Sequence, residues 1–118
     1  MSQYSELVEL ILEFRDQRNW SQFHTLKNLS AALSIESGEL QELLLWLGEN
    51  EVEAKLSDND FKVSLEDECA DIFNYLVLIS DRAGFDILDV AKRKIEKNKL
   101  KYPVEKSYGV ATKYNKFE

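Results

Sequence analysis

The sequence predicts an all-α protein, because turn-forming residues are scarce and apolar residues recur at helical spacing in four segments. Four glycines and one proline occur in 118 residues, which argues against a turn-rich β architecture. Hydrophobic residues make up 44% of the chain, enough for one packed core. We therefore expect a four-helix bundle. A small helical unit with several wide apolar faces leaves some of them uncovered, so we also expect the core to be completed by a homo-oligomer.

The first two predicted helices occupy the N-terminal half of the chain. The first is predicted from about Tyr4 to Arg18, where residues at helical spacing are apolar. A polar and aromatic connection follows over residues 19–24. The second helix is predicted over residues 27–46, with Gly48 as its stop. Its apolar stripe consists of Leu29, Ala32, Leu33, Leu40, Leu43 and Leu47.

The remaining two helices follow a charged segment without a clear period, residues 49–60, which we expect to be a loop or a frayed helical turn. A third helix is predicted to begin at a Ser64 cap and to end at Gly84. A fourth helix is predicted from Ile87 to about Lys101, after an Asp86 cap.

The Tyr102-Pro103 pair ends the fourth helix, because the residue before a proline is disfavoured in a helix. This division predicts a helical catalytic domain over residues 1–103 and an extended C-terminal tail over residues 104–118.

Charge is distributed unevenly along the chain, whose net charge is −7. Residues 1–91 carry 19 acidic and 6 basic side chains, whereas residues 92–118 carry 3 acidic and 9 basic ones. Carboxylates gathered in one part and cations in another can form a site for a metal and a polyanion, although a solvated acidic face with a basic tail explains the same pattern. The net negative charge argues against binding along a nucleic acid backbone.

The sequence also predicts the compartment. Cys69 is the single cysteine, so no internal disulfide can form and a reducing compartment fits. No apolar run approaches membrane-spanning length and no signal-peptide pattern is present. We expect a cytoplasmic protein without a membrane association.

Two pairs of acidic residues lie where a helix is otherwise apolar. Acidic pairs three residues apart occur six times, so the spacing itself is uninformative in so acidic a chain. At about 100° per residue, however, Glu36 falls within the apolar stripe of the second helix, with Glu39 to one side. Glu68 falls within the apolar arc of the third helix and Asp71 at its border.

Carboxylates in an apolar interface require compensation, because burying a charge costs several kcal/mol. Neither stripe contains Lys or Arg, and four clustered carboxylates repel one another. Divalent cations would resolve both problems, and ligands that are all oxygen suit Mg²⁺ or Mn²⁺. The alternative is that these acids lie at helix borders and reach solvent or a cation on another helix. Gly38, inside the same helix, is explained by close helix approach or by ligand access.

Several short motifs occur in a fixed order along the chain. They are Phe14-Arg15-Asp16, Trp20, Phe23-His24, Asn28-Leu29, Glu36-Ser37-Gly38-Glu39, Glu68-Cys69-Ala70-Asp71 and Lys101-Tyr102-Pro103. In this order they resemble the MazG-like all-α NTP pyrophosphatases, and within that family the dCTP pyrophosphatase subgroup. The resemblance covers nearly the whole chain and implies a tetramer, in agreement with the oligomer expected from the apolar faces.

The resemblance also implies which residues form the site. The implied metal ligands are Glu36, Glu39, Glu68 and Asp71. The implied substrate-binding residues are Trp20, His24, Trp46, Tyr75, Lys94, Asn98 and Tyr102. Among them Trp20 and His24 would line the base and sugar pocket, and Tyr75 would disfavour a ribose 2′-hydroxyl. Lys94 and Asn98 would contact phosphates, joined by Tyr102, and Trp46 would reach the pocket across a subunit interface.

Structural alternatives stay open for several of these residues. Trp20 and Trp46 are equally consistent with an interface core, and Tyr75 with an ordinary core position. His24 has no second ligand at metal-binding spacing, which favours a capping or packing role. Lys94 belongs to a basic run and is consistent with solvated surface.

The expected reaction is hydrolysis of a nucleoside triphosphate between its α- and β-phosphates, giving the monophosphate and pyrophosphate. We expect at least two Mg²⁺ ions, with Glu36 or Glu39 as the catalytic general base. The implied substrates are dCTP or modified, non-canonical dNTPs, in nucleotide-pool housecleaning. The alternatives are a dUTPase-type enzyme restricted to one nucleotide and a non-catalytic helical oligomerisation or binding module.

Overall fold

The computed structural model of the chain describes residues 2–117, which contain helices and no strand. The α-helices are α1 (Gln3–Gln17), α2 (Leu26–Leu44), α3 (Glu49–Lys55), α4 (Asn59–Ala83), α5 (Ile87–Lys101) and α6 (Val104–Ser107). Two short 3₁₀ helices cover Ser21–Phe23 and Tyr114–Lys116. The predicted all-α class is confirmed, and α1, α2, α4 and α5 are the four long helices expected. No helix within residues 2–117 is long and apolar enough to span a membrane.

The first two helices begin at caps that the sequence supplies locally. The Ser2 hydroxyl accepts a hydrogen bond from the Ser5 N–H at the start of α1. Thr25 accepts one from the Asn28 N–H at the start of α2, at 3.1 Å. The Asn28 side chain in turn donates to the Phe23 carbonyl at 2.9 Å, which ties the preceding 3₁₀ helix to α2. Both helices therefore begin within one or two residues of their predicted starts.

The segment predicted as a loop or a frayed helical turn contains a helix of 7 residues, α3. The predicted Gly48 stop is wrong. α2 ends at Leu44, and Gly48 has an extended conformation, with φ −73° and ψ 158°, as the cap that begins α3. The Glu51 side chain accepts a hydrogen bond from the Gly48 N–H at 3.4 Å. Two of the first three residues of α3 are glutamates, which favour a helix N-terminus electrostatically.

The predicted Ser64 cap is wrong as well, because the cap of α4 lies six residues earlier. Asp58 caps it by accepting a hydrogen bond from the Asp60 N–H at 3.0 Å. The Ser64 hydroxyl instead donates to the Asp60 carbonyl within the helix. The other end of α4 is as predicted: Gly84 closes it in the left-handed region, with φ +82°.

Residues 2–84 form one compact unit, whose core lies between α2 and α4. Leu29 of α2 and Val77 of α4 are almost fully buried, with 2% and 1% of their surface exposed. α1 also packs on α4 and contributes the buried Ile11. Since α2 and α4 carry the two acidic pairs, the packing of these helices positions the candidate site.

Residues 85–117 form a second compact unit. Asp86 caps α5 through the N–H groups of Leu88 and Asp89, as predicted. Beyond α5 the chain is not wholly extended, because α6 and the second 3₁₀ helix lie within the predicted tail. The Tyr102 ring packs edge-on against Tyr114 and Phe117, with centroids 6.0 and 5.9 Å apart. The domain boundary after residue 103 stays a prediction; its outermost residues, 1 and 118, lie outside the described chain.

Candidate functional site

Three of the four predicted metal ligands come together between α2 and α4. One carboxylate oxygen each from Glu36, Glu39 and Glu68 lies within 4.8 Å of the other two. We call these residues the carboxylate trio. Glu36 and Glu68 are half-buried and Glu39 is exposed. This burial matches the helical positions, which placed Glu36 and Glu68 within apolar stripes and Glu39 to one side.

The buried oxygens of the trio lack partners in the protein. The Oε2 atoms of Glu36 and Glu68 are buried and accept no hydrogen bond from any residue in the described part of the chain. The ion pairs formed by residues 2–117 are Arg15–Asp16, Arg15–Asp81 and Lys99–Glu96. A salt bridge to another helix of the same chain therefore does not compensate the trio. A hard divalent cation fits this set of oxygen donors and would satisfy the unpartnered atoms.

Burial and mutual repulsion raise the pKa values of two glutamates of the trio. Burial, followed by the charge of Glu39, raises the pKa of Glu36 from 4.5 to about 7. The pKa of Glu68 is raised by the same two causes in the same order. A cation at the trio would reverse this effect, because a positive charge favours the ionised carboxylates.

The fourth predicted ligand, Asp71, lies beside the trio rather than within it. It is exposed, one helical turn after Glu68, and its charge contributes to the raised pKa values of Glu36 and Glu68. Its side chain lines the cavity described next. Asp71 thus lies where the carboxylates and the cavity adjoin.

The cavity, with a volume of about 470 Å³, lies in the first unit and is mainly apolar. Its walls are Leu7, Leu10, Ile11, Phe14, Arg15, Trp20, His24, Asp71, Asn74, Tyr75 and Leu78. A volume in this range, with a few polar groups among aromatic and aliphatic side chains, is typical of small-molecule sites. Because Asp71 is part of the cavity wall and lies beside the trio, one ligand can place its uncharged part in the cavity and its charged part at the carboxylates.

Trp20 is positioned by the turn that ends α1. Asn19 has a left-handed conformation, with φ 55°, and its N–H donates to the Asp16 carbonyl. The Trp20 N–H donates to the Arg15 carbonyl at 3.1 Å, completing the pair of bonds that closes a helix at a left-handed residue. The indole then packs edge-on against Phe14, with ring centroids 5.7 Å apart. Its place in the cavity wall is therefore set by backbone geometry as well as by packing.

His24 and Tyr75 are both predicted site residues that line the cavity. Burial and the nearby Arg15 charge lower the pKa of His24, so its imidazole is neutral at pH 7. The His24 Nδ1 atom is buried and has no hydrogen-bond partner among the described residues. Burial and the carboxylate charges raise the pKa of Tyr75, which keeps its phenol protonated. Both side chains therefore present uncharged polar atoms to a ligand.

Four further predicted residues lie outside the cavity walls. Trp46 is 88% exposed, just beyond the end of α2. Lys94, Asn98 and Tyr102 belong to the second unit, where the Lys94 ammonium donates to the Asn98 carbonyl oxygen at 3.0 Å. The neighbouring charge of Lys101 is the largest cause of a lowered Lys94 pKa, and such a crowded cation gains from a nearby anion. The substrate roles of these four residues stay predictions.

Arg15 and Asn74 are cavity residues that the sequence reasoning did not select. The signal was present, because Arg15 continues the Leu7–Ile11 stripe at the next helical turn and Asn74 follows Asp71 by three residues. The criterion that selected the acidic pairs was a polar side chain within an apolar stripe. The same criterion selects Arg15 and Asn74. Of the two explanations offered for Gly38, close helix approach is wrong within the described chain, because an added Cβ would meet no atom within 4 Å; ligand access stays a prediction.

The chain is similar in sequence and in fold to several known proteins. Residues 31–117 match the MazG-like family. The chain is 35% identical over 109 residues to dCTP pyrophosphatase 1 of Mus musculus and 31% identical to that of Homo sapiens. These alignments cover 92% of this chain, which spans 64% of the length of either relative. The fold resembles that of a pyrophosphatase from Archaeoglobus fulgidus, with a TM-score of 0.81, 38% identity, and coverage of 87% of this chain and 94% of the other.

The resemblance inferred from the ordered motifs, including that to the dCTP pyrophosphatase subgroup, is confirmed by these matches. On the family match over most of its length, the chain belongs to the MazG-like family.

Proposed function

We propose that this protein hydrolyses nucleoside triphosphates to monophosphate and pyrophosphate. The observation that carries the proposal is the junction at Asp71, where the carboxylate trio with its unpartnered oxygens adjoins an apolar cavity of about 470 Å³. A nucleotide has the same two parts, an anionic triphosphate that travels with divalent cations and a base that gains from apolar surroundings. The names of the pyrophosphatases that the chain resembles support the same reaction.

Glu36, Glu39 and Glu68 would hold Mg²⁺, with Asp71 as a fourth ligand beside them. Mn²⁺ suits the same oxygen donors. When bound, the metal would neutralise phosphate charge and acidify the attacking water. The family resemblance and the donor chemistry support this assignment, and a direct count of bound ions would test it.

We propose Glu36 or Glu39 as the general base that takes a proton from the water attacking the α-phosphorus. The raised pKa of Glu36, about 7, belongs to the site without an ion, and a bound cation lowers the pKa of the carboxylates beside it. The base is therefore identified by kcat at saturating Mg²⁺, as the glutamate whose replacement by glutamine loses more of kcat.

The base and sugar would occupy the cavity, with Trp20 and His24 around the base and Tyr75 beside the sugar. The likeness to dCTP pyrophosphatase 1 supports dCTP, or a modified pyrimidine dNTP, as the substrate and nucleotide-pool housecleaning as the role. Lys94 and Asn98 would contact the phosphates, and Tyr102 would support them. We also propose a cytoplasmic homotetramer in which Trp46 reaches a neighbouring subunit, since so exposed an indole gains from being covered.

The decisive experiment is pyrophosphate release from a panel of dNTPs with Mg²⁺ and with EDTA. We expect metal-dependent release, highest for dCTP or a modified pyrimidine. The Glu39→Gln, Asp71→Asn double variant should lose activity by a factor of 100 or more, since removing charged groups at a phosphoryl-transfer site costs roughly this much or more. Glu42→Gln is the matched control, because Glu42 is exposed on the same helix outside the trio.

The same panel distinguishes the alternatives. Cleavage of dUTP alone would indicate a dUTPase-type enzyme. Full activity in the double variant would refute the proposed metal ligands. No release from any nucleotide, together with no effect of Mg²⁺ on thermal stability, would refute the enzyme and favour a non-catalytic oligomerisation module.

A further inference from the structure

Arg15 is an unusual component of the cavity wall, because it brings a charge into an apolar surface. Its side chain is 17% exposed and lines the cavity between α1 and α4. Nε donates to Asp16 at 2.8 Å, and Nη1 donates to Asp81 at 3.2 Å. Both acceptors are partly exposed, so the guanidinium is held by carboxylates at the rim while it lines the cavity.

These two ion pairs leave part of the guanidinium unused. An arginine has five N–H donors, and the hydrogen bonds that Arg15 makes within residues 2–117 involve Nε and Nη1 alone. The Nη2 donors are therefore available to a molecule in the cavity. A guanidinium offers no acceptor, so whatever binds it there must present one: an anionic oxygen or, on a nucleotide base, a carbonyl oxygen or a ring nitrogen.

Asn74 adds a second recognition group to the same cavity. It is half-buried on α4, one turn after Asp71, and its amide makes no side-chain hydrogen bond with the described residues 2–117. Water can satisfy a half-buried amide in the free protein, and a ligand that replaces this water must offer matching polar groups. The Asn74 amide offers both a hydrogen-bond donor and an acceptor. A leucine would fill a similar volume without offering either.

The order of residues along α4 orients a ligand. Asp71, Asn74, Leu78 and the Arg15 partner Asp81 follow one another, and a rise of 1.5 Å per residue separates the first from the last by about 15 Å. The carboxylate trio adjoins the Asp71 end. A nucleotide with its phosphates at the trio therefore directs its base towards Asn74 and Arg15.

We propose that Arg15 and Asn74 read the hydrogen-bonding edge of the base and thereby select cytosine over uracil and thymine. Cytosine presents two adjacent acceptors, N3 and the O2 carbonyl, where uracil and thymine carry an N–H at N3. The donor-only guanidinium matches the cytosine pattern, and the Asn74 carbonyl accepts from the exocyclic amine. This inference rests on the proposed function for the orientation of the nucleotide.

A purely structural role for Arg15 makes a different prediction. The Arg15–Asp81 pair joins residues 66 positions apart, so Arg15 also ties α1 to α4. If this were its whole role, its loss would reduce activity on every nucleotide equally, and Asp81→Asn would have the same effect. A base-reading role changes the ratio of activities between bases in Arg15→Lys. Asp81→Asn keeps an amide oxygen that accepts from Nη1, so Arg15 stays in place and the ratio stays close to wild type.

The test compares kcat/KM for dCTP, dUTP and the abasic deoxyribose 5′-triphosphate in wild type, Arg15→Lys, Asn74→Leu and Asp81→Asn. We expect the dCTP-to-dUTP ratio to fall about tenfold or more in Arg15→Lys and in Asn74→Leu, the effect of a lost charge-assisted or buried hydrogen bond. In both variants activity on the abasic compound, which has no base to contact, should fall less than activity on dCTP. An unchanged ratio in both variants, or an equal loss on all three compounds, overturns the proposal.

Calorimetric binding of dCMP and dUMP separates failure of this inference from failure of the proposed function, because it needs no hydrolysis. A wild type that releases no pyrophosphate but prefers dCMP, with the preference lost in Arg15→Lys and Asn74→Leu, refutes the enzyme and supports base reading. A dCMP-to-dUMP affinity ratio that neither variant alters, or no binding of either nucleotide, overturns base reading.

Discussion

Without a metal, the protein should lose stability as the pH rises through neutrality, and Glu36 should be responsible. The folded state holds the pKa of Glu36 at about 7, whereas the unfolded chain ionises near 4.5. Between these values the folded state binds more protons, so the free energy of unfolding decreases as the pH rises. The Glu36 contribution is fully present below about pH 4.5 and is lost as the pH passes through about 7.

The magnitude follows from the same pair of values. A difference from 4.5 to about 7 corresponds to an upper limit of about 3 kcal/mol, at about 1.4 kcal/mol per pH unit. Glu36 is half-buried, so solvent screening reduces this to about 1–2 kcal/mol. His24 acts in the opposite direction, because its lowered pKa makes the protein gain stability as the pH rises towards 6.5. The Glu36 contribution is therefore obtained at each pH as the difference in free energy of unfolding between wild type and a Glu36 variant, in which the His24 contribution cancels.

The assay is urea unfolding in EDTA from pH 5 to pH 8, at one protein concentration, for wild type, Glu36→Gln and Glu42→Gln. Glutamine resembles the protonated glutamate, so wild type and Glu36→Gln should have nearly equal stability at pH 5. At pH 8 Glu36→Gln should be more stable by about 1–2 kcal/mol, and Mg²⁺ should then stabilise the wild type more than this variant. The free energy of unfolding of Glu42→Gln should change with pH as that of the wild type does. If the free energy of Glu36→Gln also follows the wild type across this pH range, the reasoning is refuted.

Four further changes test the fold and the assembly. Asn19→Gly should keep wild-type stability and Asn19→Val should lose about 1–2 kcal/mol in urea unfolding; equal losses would contradict the left-handed turn. Leu29→Ala should lose about 2–5 kcal/mol, and the exposed Ile35→Ala on the same helix less than about 0.5; similar losses would contradict the core. Gly38→Ala should raise the free energy of unfolding by about 1 kcal/mol, and a decrease would reveal a contact at Gly38. Trp46→Ala should lower the mass measured by sedimentation, and an unchanged mass would contradict its interface role.

Local signals predicted the helix ends that depend on nearby residues. The Asp86 cap bonds to N–H groups two and three residues away, and the Gly84 end requires one left-handed residue. The start of α4 was missed because Asp58 and Ser64 are both acceptable caps. The choice between them depends on the burial of Phe61 within the extra turn, which only the packed structure determines.

The carboxylate trio was accessible from sequence because Glu36 and Glu68 fall within the apolar stripes of their helices and Glu39 lies beside the stripe that contains Glu36. The cavity was not, because its shape depends on how α1 lies against α4. Arg15 and Asp81 are 66 positions apart, and no periodicity within one helix predicts their contact. The same limit applies to Asp71, whose exact distance from the trio depends on side-chain direction as well as helical position.

The two tryptophans of the chain supply an optical signal without any label. Trp46 is 88% exposed, whereas Trp20 is 42% exposed and touches the ring of Phe14. An indole in water emits at longer wavelength than one packed among aromatic rings, so the two contributions separate spectrally. In a Trp46→Phe variant the remaining emission comes from the cavity wall. Its accessibility to a quencher such as acrylamide then reports in real time whether the cavity is filled.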